Sequence, residues 1–167
     1  MSAGTRNAFT MVSEGDSAPD FTVPMADGDV GSFTLSEHVG DGPIVLAFFP
    51  GAFTSVCEEE MCSFRDQLAD FDELDARVYG VSVDTPFSQN AFRDANDLNF
   101  PLLSDFDKEV IESYDVVLEE LAGLHGLAKR SVFVIDDAGD VAYAWVSDDP
   151  GVLPDLDEVR DAVEAAA

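Results

Sequence analysis

Eight consecutive residues, Pro43-Ile44-Val45-Leu46-Ala47-Phe48-Phe49-Pro50, form an unbroken apolar run bracketed by prolines. A short continuous apolar run bounded by turn formers is the signature of a strand buried on both faces. The run is therefore predicted to be a central strand, and its neighbours must cover it from two sides. Past Pro50 and Gly51, Ser55 is followed three positions later by Glu58, a capping-box pattern that starts a helix at about Val56. Met61, Phe64, Leu68 and Phe71 then share one helical face and carry the helix to about Leu74.

The alternation continues. Arg77 to Asp84 reads as a strand, Ser88 to Leu98 as a helix, Pro101 to Ser104 as a short strand and Asp107 to Tyr114 as a short helix. Val116 to Lys129 reads as a loop marked by Gly123 and Gly126. Ser131 to Ile135 and Val141 to Val146 flank the turn-rich segment Asp136 to Asp140, a hairpin, and Asp155 to Ala166 closes the chain as a helix. Upstream, Asp20 to Pro24 and Phe33 to Leu35 flank Asp27-Gly28-Asp29, an N-terminal β-hairpin extension. The expected fold class is α/β, a central mixed sheet flanked by helices with right-handed crossovers. Residues 1–13 read as a loose leader and residues 14–167 as one domain, with no internal repeat.

The two cysteines of the chain, Cys57 and Cys62, both fall on the helix that follows the apolar strand. With Ser55 as N-cap, Cys57 takes the second helical position, where unpaired backbone N–H groups and the helix dipole favour a thiolate. Glu58, Glu59 and Glu60 act against it, so a cation must arrive from elsewhere in the fold. Arg130, beside Lys129 at the entry to a buried strand, is the best placed, ahead of Arg65 and Arg93. Positions five apart on a continuous helix are rotated by about 140° and lie roughly 8.6 Å apart at Cα, whereas a disulfide needs about 7 Å or less. Either the first turns unwind when the two bond, or one thiol is a bystander.

Pro50-x-x-x-Thr54-x-x-Cys57, opening a helix after an apolar strand, with Arg130 heading Ser131-Val132-Phe133-Val134-Ile135-Asp136, resembles the peroxiredoxin family from about Gly15 to the final helix. Phe49-Pro50-Gly51-Ala52-Phe53-Thr54, with a second Cys five residues past the first, is most similar to its bacterioferritin comigratory or alkyl hydroperoxide reductase E type. The resemblance implies a thioredoxin-like fold and a thiol peroxidase without metal or organic cofactor. Its substrates would be hydrogen peroxide and small organic hydroperoxides, and its electrons would come from a thioredoxin-like or other thiol reductant. Cys57 would attack the peroxide and become a sulfenic acid. Arg130 would hold the thiolate and polarise the O–O bond, Thr54 would position the peroxide, Pro50 would shield the site from water and Glu60 would orient Arg130. Cys62 would resolve the sulfenic acid as an intrachain disulfide. Two positions depart from the family pattern: Ser55 stands where many relatives carry Pro, and Glu58 where many carry Thr.

Plainer readings stand beside these. Cysteine is often a small buried apolar residue, Thr54 a cap and Arg130 a strand-edge charge paired with an acid. Glu59 and its neighbours read as part of a solvated acidic coat. His38 and His125 are isolated and the Cys and His spacings fit no zinc pattern. Tyr143 and Trp145 alternate as strand residues do and belong to the core or to a contact in a homodimer. Three other functions compete: a one-Cys peroxidase with Cys62 as bystander, a non-enzymatic peroxide sensor built on Cys57, and a thiol–disulfide oxidoreductase. The last would want a Cys-x-x-Cys pair, which the chain lacks.

Composition narrows the setting. No stretch approaches the roughly 20 apolar residues of a membrane span, and residues 1–14 lack the apolar run of a secretory signal, so a cytoplasmic protein is expected. Thirty-five acids against eight Lys and Arg give a net charge of −27, which repels nucleic acid and anionic membranes alike. The acids are spread over the whole chain, as a solvent-facing coat would be. Their self-repulsion destabilises a compact state in dilute salt and is screened within about 3 Å at 1 M salt, which predicts a salt-rich cytoplasm such as that of an extreme halophile. The melting temperature should climb between dilute and molar KCl; a flat or falling curve in differential scanning calorimetry would remove this inference.

Overall fold

The computed structural model describes residues 12–166. In chain order they form β1 (Thr22–Asp27), β2 (Asp29–Thr34), β3 (Ile44–Phe48), α1 (Ser55–Asp72), β4 (Arg77–Ser82), α2 (Pro86–Asn96), β5 (Leu102–Ser104), α3 (Glu109–Ser113), β6 (Val117–Leu118), β7 (Leu127–Ala128), β8 (Ser131–Ile135), β9 (Val141–Val146) and α4 (Leu156–Ala166). Seven strands make one mixed sheet in the order β2-β1-β5-β4-β3-β8-β9. β3 pairs parallel with β4 and antiparallel with β8, so the apolar run lies inside the sheet with a partner on each edge. The N-terminal hairpin joins the same sheet through antiparallel pairing of β1 with β5.

Every residue of β3 is buried, and its alternation divides the core in two. Val45, Ala47 and Phe49 point into a cluster with Met61, Phe64 and Phe71 of α1, Phe92 of α2, and Val159 and Val163 of α4. Ile44, Leu46 and Phe48 point into the opposite cluster with Val110, Ile111, Tyr114 and Phe133. Full burial of each such side chain stabilises by about 1.5–3 kcal/mol, and a strand with no polar face can exist only between two such layers. Among the described residues no helix is long and apolar enough to cross a membrane.

Three expectations need adjustment. Of the leader, residues 1–11 lie outside the described residues, but Val12 is buried in the second cluster and the Ser13 N–H donates to Asp16, so the packed chain reaches back at least to Val12. The loop Val116 to Lys129 contains a small two-stranded ribbon, β6 with β7, too short to leave a periodic signal. The helix expected from about Val56 starts at Ser55 with Thr54 as its N-cap, and no capping box forms. The cause is local: Phe53 takes a left-handed φ of 65° and delivers Thr54 in extended geometry one residue before the expected cap.

Gly80, in the middle of β4, lets α1 approach the sheet. A Cβ there would lie 2.6 Å from Leu102 Cδ2, 3.1 Å from Met61 Sδ and 3.2 Å from Phe49 Cε1, all in the core layer between α1 and the sheet. Gly80→Ala should therefore lower unfolding stability by about 1–3 kcal/mol through overpacking, read as a shift in the denaturant midpoint at constant molar KCl.

Candidate active site

Position 57 is set by what precedes it. β3 ends at Phe48, buried Pro50 closes the strand, and the loop from Gly51 to Thr54 turns the chain into α1. Three contacts fix that loop. The Ala52 N–H donates to Asp84 Oδ2 at 2.8 Å, the Phe53 ring stands edge-on to Phe92 at 5.2 Å, and the Thr54 hydroxyl donates to the Gly51 carbonyl at 3.0 Å. Asp84 is itself held by the Ser82 hydroxyl at 2.7 Å, and Ser82 by the Gln89 amide at 2.9 Å. Cys57 becomes the third helical residue rather than the second, still among the first-turn positions whose N–H groups have no intrahelical acceptor.

Arg130 arrives at Cys57 from the residue just before β8. Its side chain is 1% exposed, and all three nitrogens have an acceptor. Nη2 donates to Cys57 Sγ at 3.1 Å, Nη1 to Glu60 Oε1 at 2.5 Å and Nε to the Pro150 carbonyl at 3.0 Å. Cys57 and Glu60 are one turn apart on the same face of α1, so one planar fork reaches both. Glu60, 2% exposed, is therefore no part of the acidic coat with which its neighbours were grouped.

Burial outweighs the downward pull of the adjoining Arg130 charge and hydrogen bond and leaves the Glu60 carboxyl raised to about 7. Its second oxygen, Oε2, is buried with no partner, which adds to the cost of ionisation. Burial opposes the Arg130 charge too, but Glu60 and Cys57 outweigh it and hold the guanidinium above its ordinary value. A permanent cation is thus fixed on a sulfur that is 0% exposed. This geometry stabilises an anionic sulfur and can follow charge as it leaves that sulfur.

Cys62 lies elsewhere on the helix. Both cysteines are free, and the Cys62 thiol donates to Asn96 Oδ1 of α2 at 3.7 Å. One uninterrupted helix, Ser55–Asp72, carries both residues, so the separation calculated for an unbroken helix holds. The structure thus brings together Cys57, Glu60, Arg130 and the Pro50–Thr54 loop, and leaves Cys62 on another face. The weaker cation candidates are occupied: Arg65 binds the Asn96 carbonyl and Asp66, and Arg93 binds the Phe100 carbonyl and Asp27. Sequence reasoning missed Asp84, Phe92 and Asn96. No motif spacing links these side chains to the loop or thiol they hold, although Asp84 stands two residues before α2 and Asn96 is its last residue.

A thioredoxin-like sheet with a reduced thiol at a helix start, clamped by a buried arginine, defines a class of thiol peroxidases. The profile of the AhpC/TSA family matches residues 14–144. A chloroplastic 2-cysteine peroxiredoxin of Chattonella marina var. antiqua is 37% identical over 141 residues, 80% of this chain and 70% of that protein. Peroxiredoxin-2 of Mus musculus is 36% identical over 159 residues, 90% of this chain and 77% of that protein. The crystal structure of peroxidoxin BcpB from Mycobacterium tuberculosis superposes with a TM-score of 0.80 at 32% identity, over 93% of this chain and 99% of that one. The chain belongs to the peroxiredoxin family and is a peroxidase of the oxidoreductase class.

The buried carboxyl makes a pH prediction. Glu60 keeps its proton in the folded state up to about 7, above its ordinary value of 4.5. The stability it contributes is complete below its unfolded value and is lost as pH rises through about 7. Glu60→Gln cannot titrate, so its stability relative to the wild type should improve between about pH 4.5 and 7 and level off above. Parallel urea titrations across that range would check it, and a pH-independent difference would contradict it.

Proposed function

We propose that this peroxiredoxin reduces hydrogen peroxide and small organic hydroperoxides in a two-step cycle, with Cys57 as peroxidatic thiol and Cys62 as resolving thiol. The observation that carries the reading is the Arg130 fork, which binds Cys57 Sγ and Glu60 together inside the protein. In the first step the Cys57 thiolate attacks one peroxide oxygen, the O–O bond breaks, and the departing alkoxide or hydroxide takes a proton to leave as alcohol or water. Sulfur is oxidised by two electrons to a sulfenic acid and the peroxide is reduced by two. Charge moves from sulfur to the leaving oxygen, and Arg130 is placed to accompany it. The Thr54 hydroxyl gives its proton to Gly51, so towards a peroxide O–H it offers lone pairs, acting as acceptor.

In the second step the Cys62 thiolate attacks the Cys57 sulfur and expels hydroxide, which is protonated to water. A thioredoxin-like dithiol then reduces the disulfide and is itself oxidised. The α1 turns between the two cysteines must open for this bond, because an unbroken helix holds them too far apart. Similarity to BcpB over 99% of that chain supports the bacterioferritin comigratory type among peroxiredoxins. Exposed Phe87 and Phe106, which share one surface groove, offer apolar area for a homodimer. The net charge of −27 supports a salt-rich cytoplasm as its working environment.

A specific observation favours a second reading: Cys62 is hydrogen-bonded away from Cys57, as a bystander in a one-Cys peroxidase would be. Cys57→Ser should abolish peroxide turnover, and undiminished turnover would sink the peroxidase assignment. Cys62→Ser should keep the first oxidation but lose sustained turnover with a thioredoxin-like donor. Mass spectrometry of the peroxide-treated wild type separates the readings: loss of two hydrogens by the monomer marks the intrachain disulfide, gain of one oxygen the one-Cys course.

A further inference from the structure

Two neighbouring features of α2 bear on the start of α1. Phe92 supports the Phe53 ring in the loop ahead of the helix. One turn later Asn96, the last residue of α2, reaches the helix itself. Its Nδ2 donates to the Phe92 carbonyl at 3.1 Å, which fixes the amide so that Oδ1 faces the Cys62 thiol. Its carbonyl accepts from Arg65 Nη1 at 2.5 Å, and Arg65 lies one turn past Cys62 on the same face of α1. Asn99 adds a contact from its side-chain amide to the Arg65 carbonyl at 3.4 Å. Cys62 is thus held on the side of α1 that faces α2, not the side that faces Arg130.

The direction of the bond matters. An S–H that donates to Asn96 Oδ1 is a thiol, whereas the attacking species in disulfide formation is the thiolate. The contact therefore opposes deprotonation of Cys62 and its departure from the α2 surface together. Both must happen before Cys62 can meet Cys57.

We propose that Asn96 is a positioning residue that parks the resolving thiol, so that release of the Cys62–Asn96 bond sets the rate of disulfide formation and hence the lifetime of the Cys57 sulfenic acid. The inference rests on the reading of Cys62 as resolving thiol. Asn96 touches neither the peroxide site nor Cys57, so it acts on the second step and leaves the first alone. A longer-lived sulfenic acid is also more open to a second peroxide and irreversible sulfinic acid formation.

The test is a peroxide pulse on the reduced full-length protein, followed by stopped-flow fluorescence of its single tryptophan, Trp145, and by quenched mass spectrometry. Asn96→Ala should form the intrachain disulfide about fivefold faster, as expected for loss of one side-chain hydrogen bond. Its first oxidation rate should match the wild type, and its yield of sulfinic acid at excess peroxide should fall. Asn96→Asp keeps an acceptor for the thiol and should resolve at the wild-type rate or slower, an outcome that general loosening of α2 would not produce. In a Cys57→Ser background, Asn96→Ala should speed alkylation of Cys62 by iodoacetamide, which reads the contact without any peroxide chemistry. Resolution in Asn96→Ala no faster than in the wild type, or resolution in Asn96→Asp as fast as a sped-up Asn96→Ala, overturns the proposal while the resolving role stands. Absence of an intrachain disulfide in the wild type overturns both.

Discussion

The guanidinium of Arg130 organises this molecule. An arginine with 1% of its side chain exposed is tolerable only if its donors are met, and here the acceptors come from distant parts of the chain: Cys57 and Glu60 of α1 and the Pro150 carbonyl between β9 and α4. Breaking a buried pair by removing one partner costs about 3–5 kcal/mol, so the pairing of Arg130 with Glu60 fixes the distance between α1 and β8. That distance is also the one between the cation and the reactive sulfur. Packing of the helix against the sheet and placement of the charge on the thiol are therefore one constraint.

The same economy governs the other cations. Most of the few Lys and Arg residues described are committed to inside tasks or to single neighbours: Arg65 caps the end of α2, Arg93 holds the Phe100 carbonyl, Lys108 holds the His125 carbonyl and Lys129 pairs with Asp148. Little is left to neutralise the acidic surface. The charge is balanced by solvent cations, and added salt shortens the range of its self-repulsion. Exposed pairs such as Arg160 with Asp70, at 3.8 Å, add little to this balance.

Much of the fold was legible because it is written in apolar periodicity. Pro43 to Pro50 could be nothing but a two-faced strand, and Met61, Phe64, Leu68 and Phe71 could share only one face of a helix, all packing on the same cluster. The contact of Arg130 with Cys57 could be anticipated because the pattern of Pro50, Thr54, Cys57 and Arg130 resembles a known family. The cap was misplaced because a non-glycine residue, Phe53, holds a left-handed φ, which no local rule would assign. Glu60 was ambiguous because three glutamates in a row look alike until burial separates them. Asp84 and Asn96 were invisible: the first meets Ala52 across 32 positions of sequence and the second meets Cys62 across 34. Contacts of that kind are created by the sheet order and carry no periodicity of their own.

The two thiols sit at opposite anchors of one short helical segment, and the proposed chemistry acts on the balance between them. In the proposed cycle, a Cys57 thiolate would draw a charge-assisted bond from Arg130, roughly twice as strong as a neutral one. Once the sulfur carries a hydroxyl and no charge, that bond weakens, while the Arg130 link to Glu60 stays in place. On that proposed course the first turn of α1 would lose one of its tethers at the moment when opening becomes useful. What then still holds the segment is the Arg130 pair with Glu60 and, on the α2 side, Phe92 beneath Phe53 and Asn96 on Cys62. Helix starts are among the cheaper regions to open, and in the proposed cycle oxidation of Cys57 would remove part of the remaining cost.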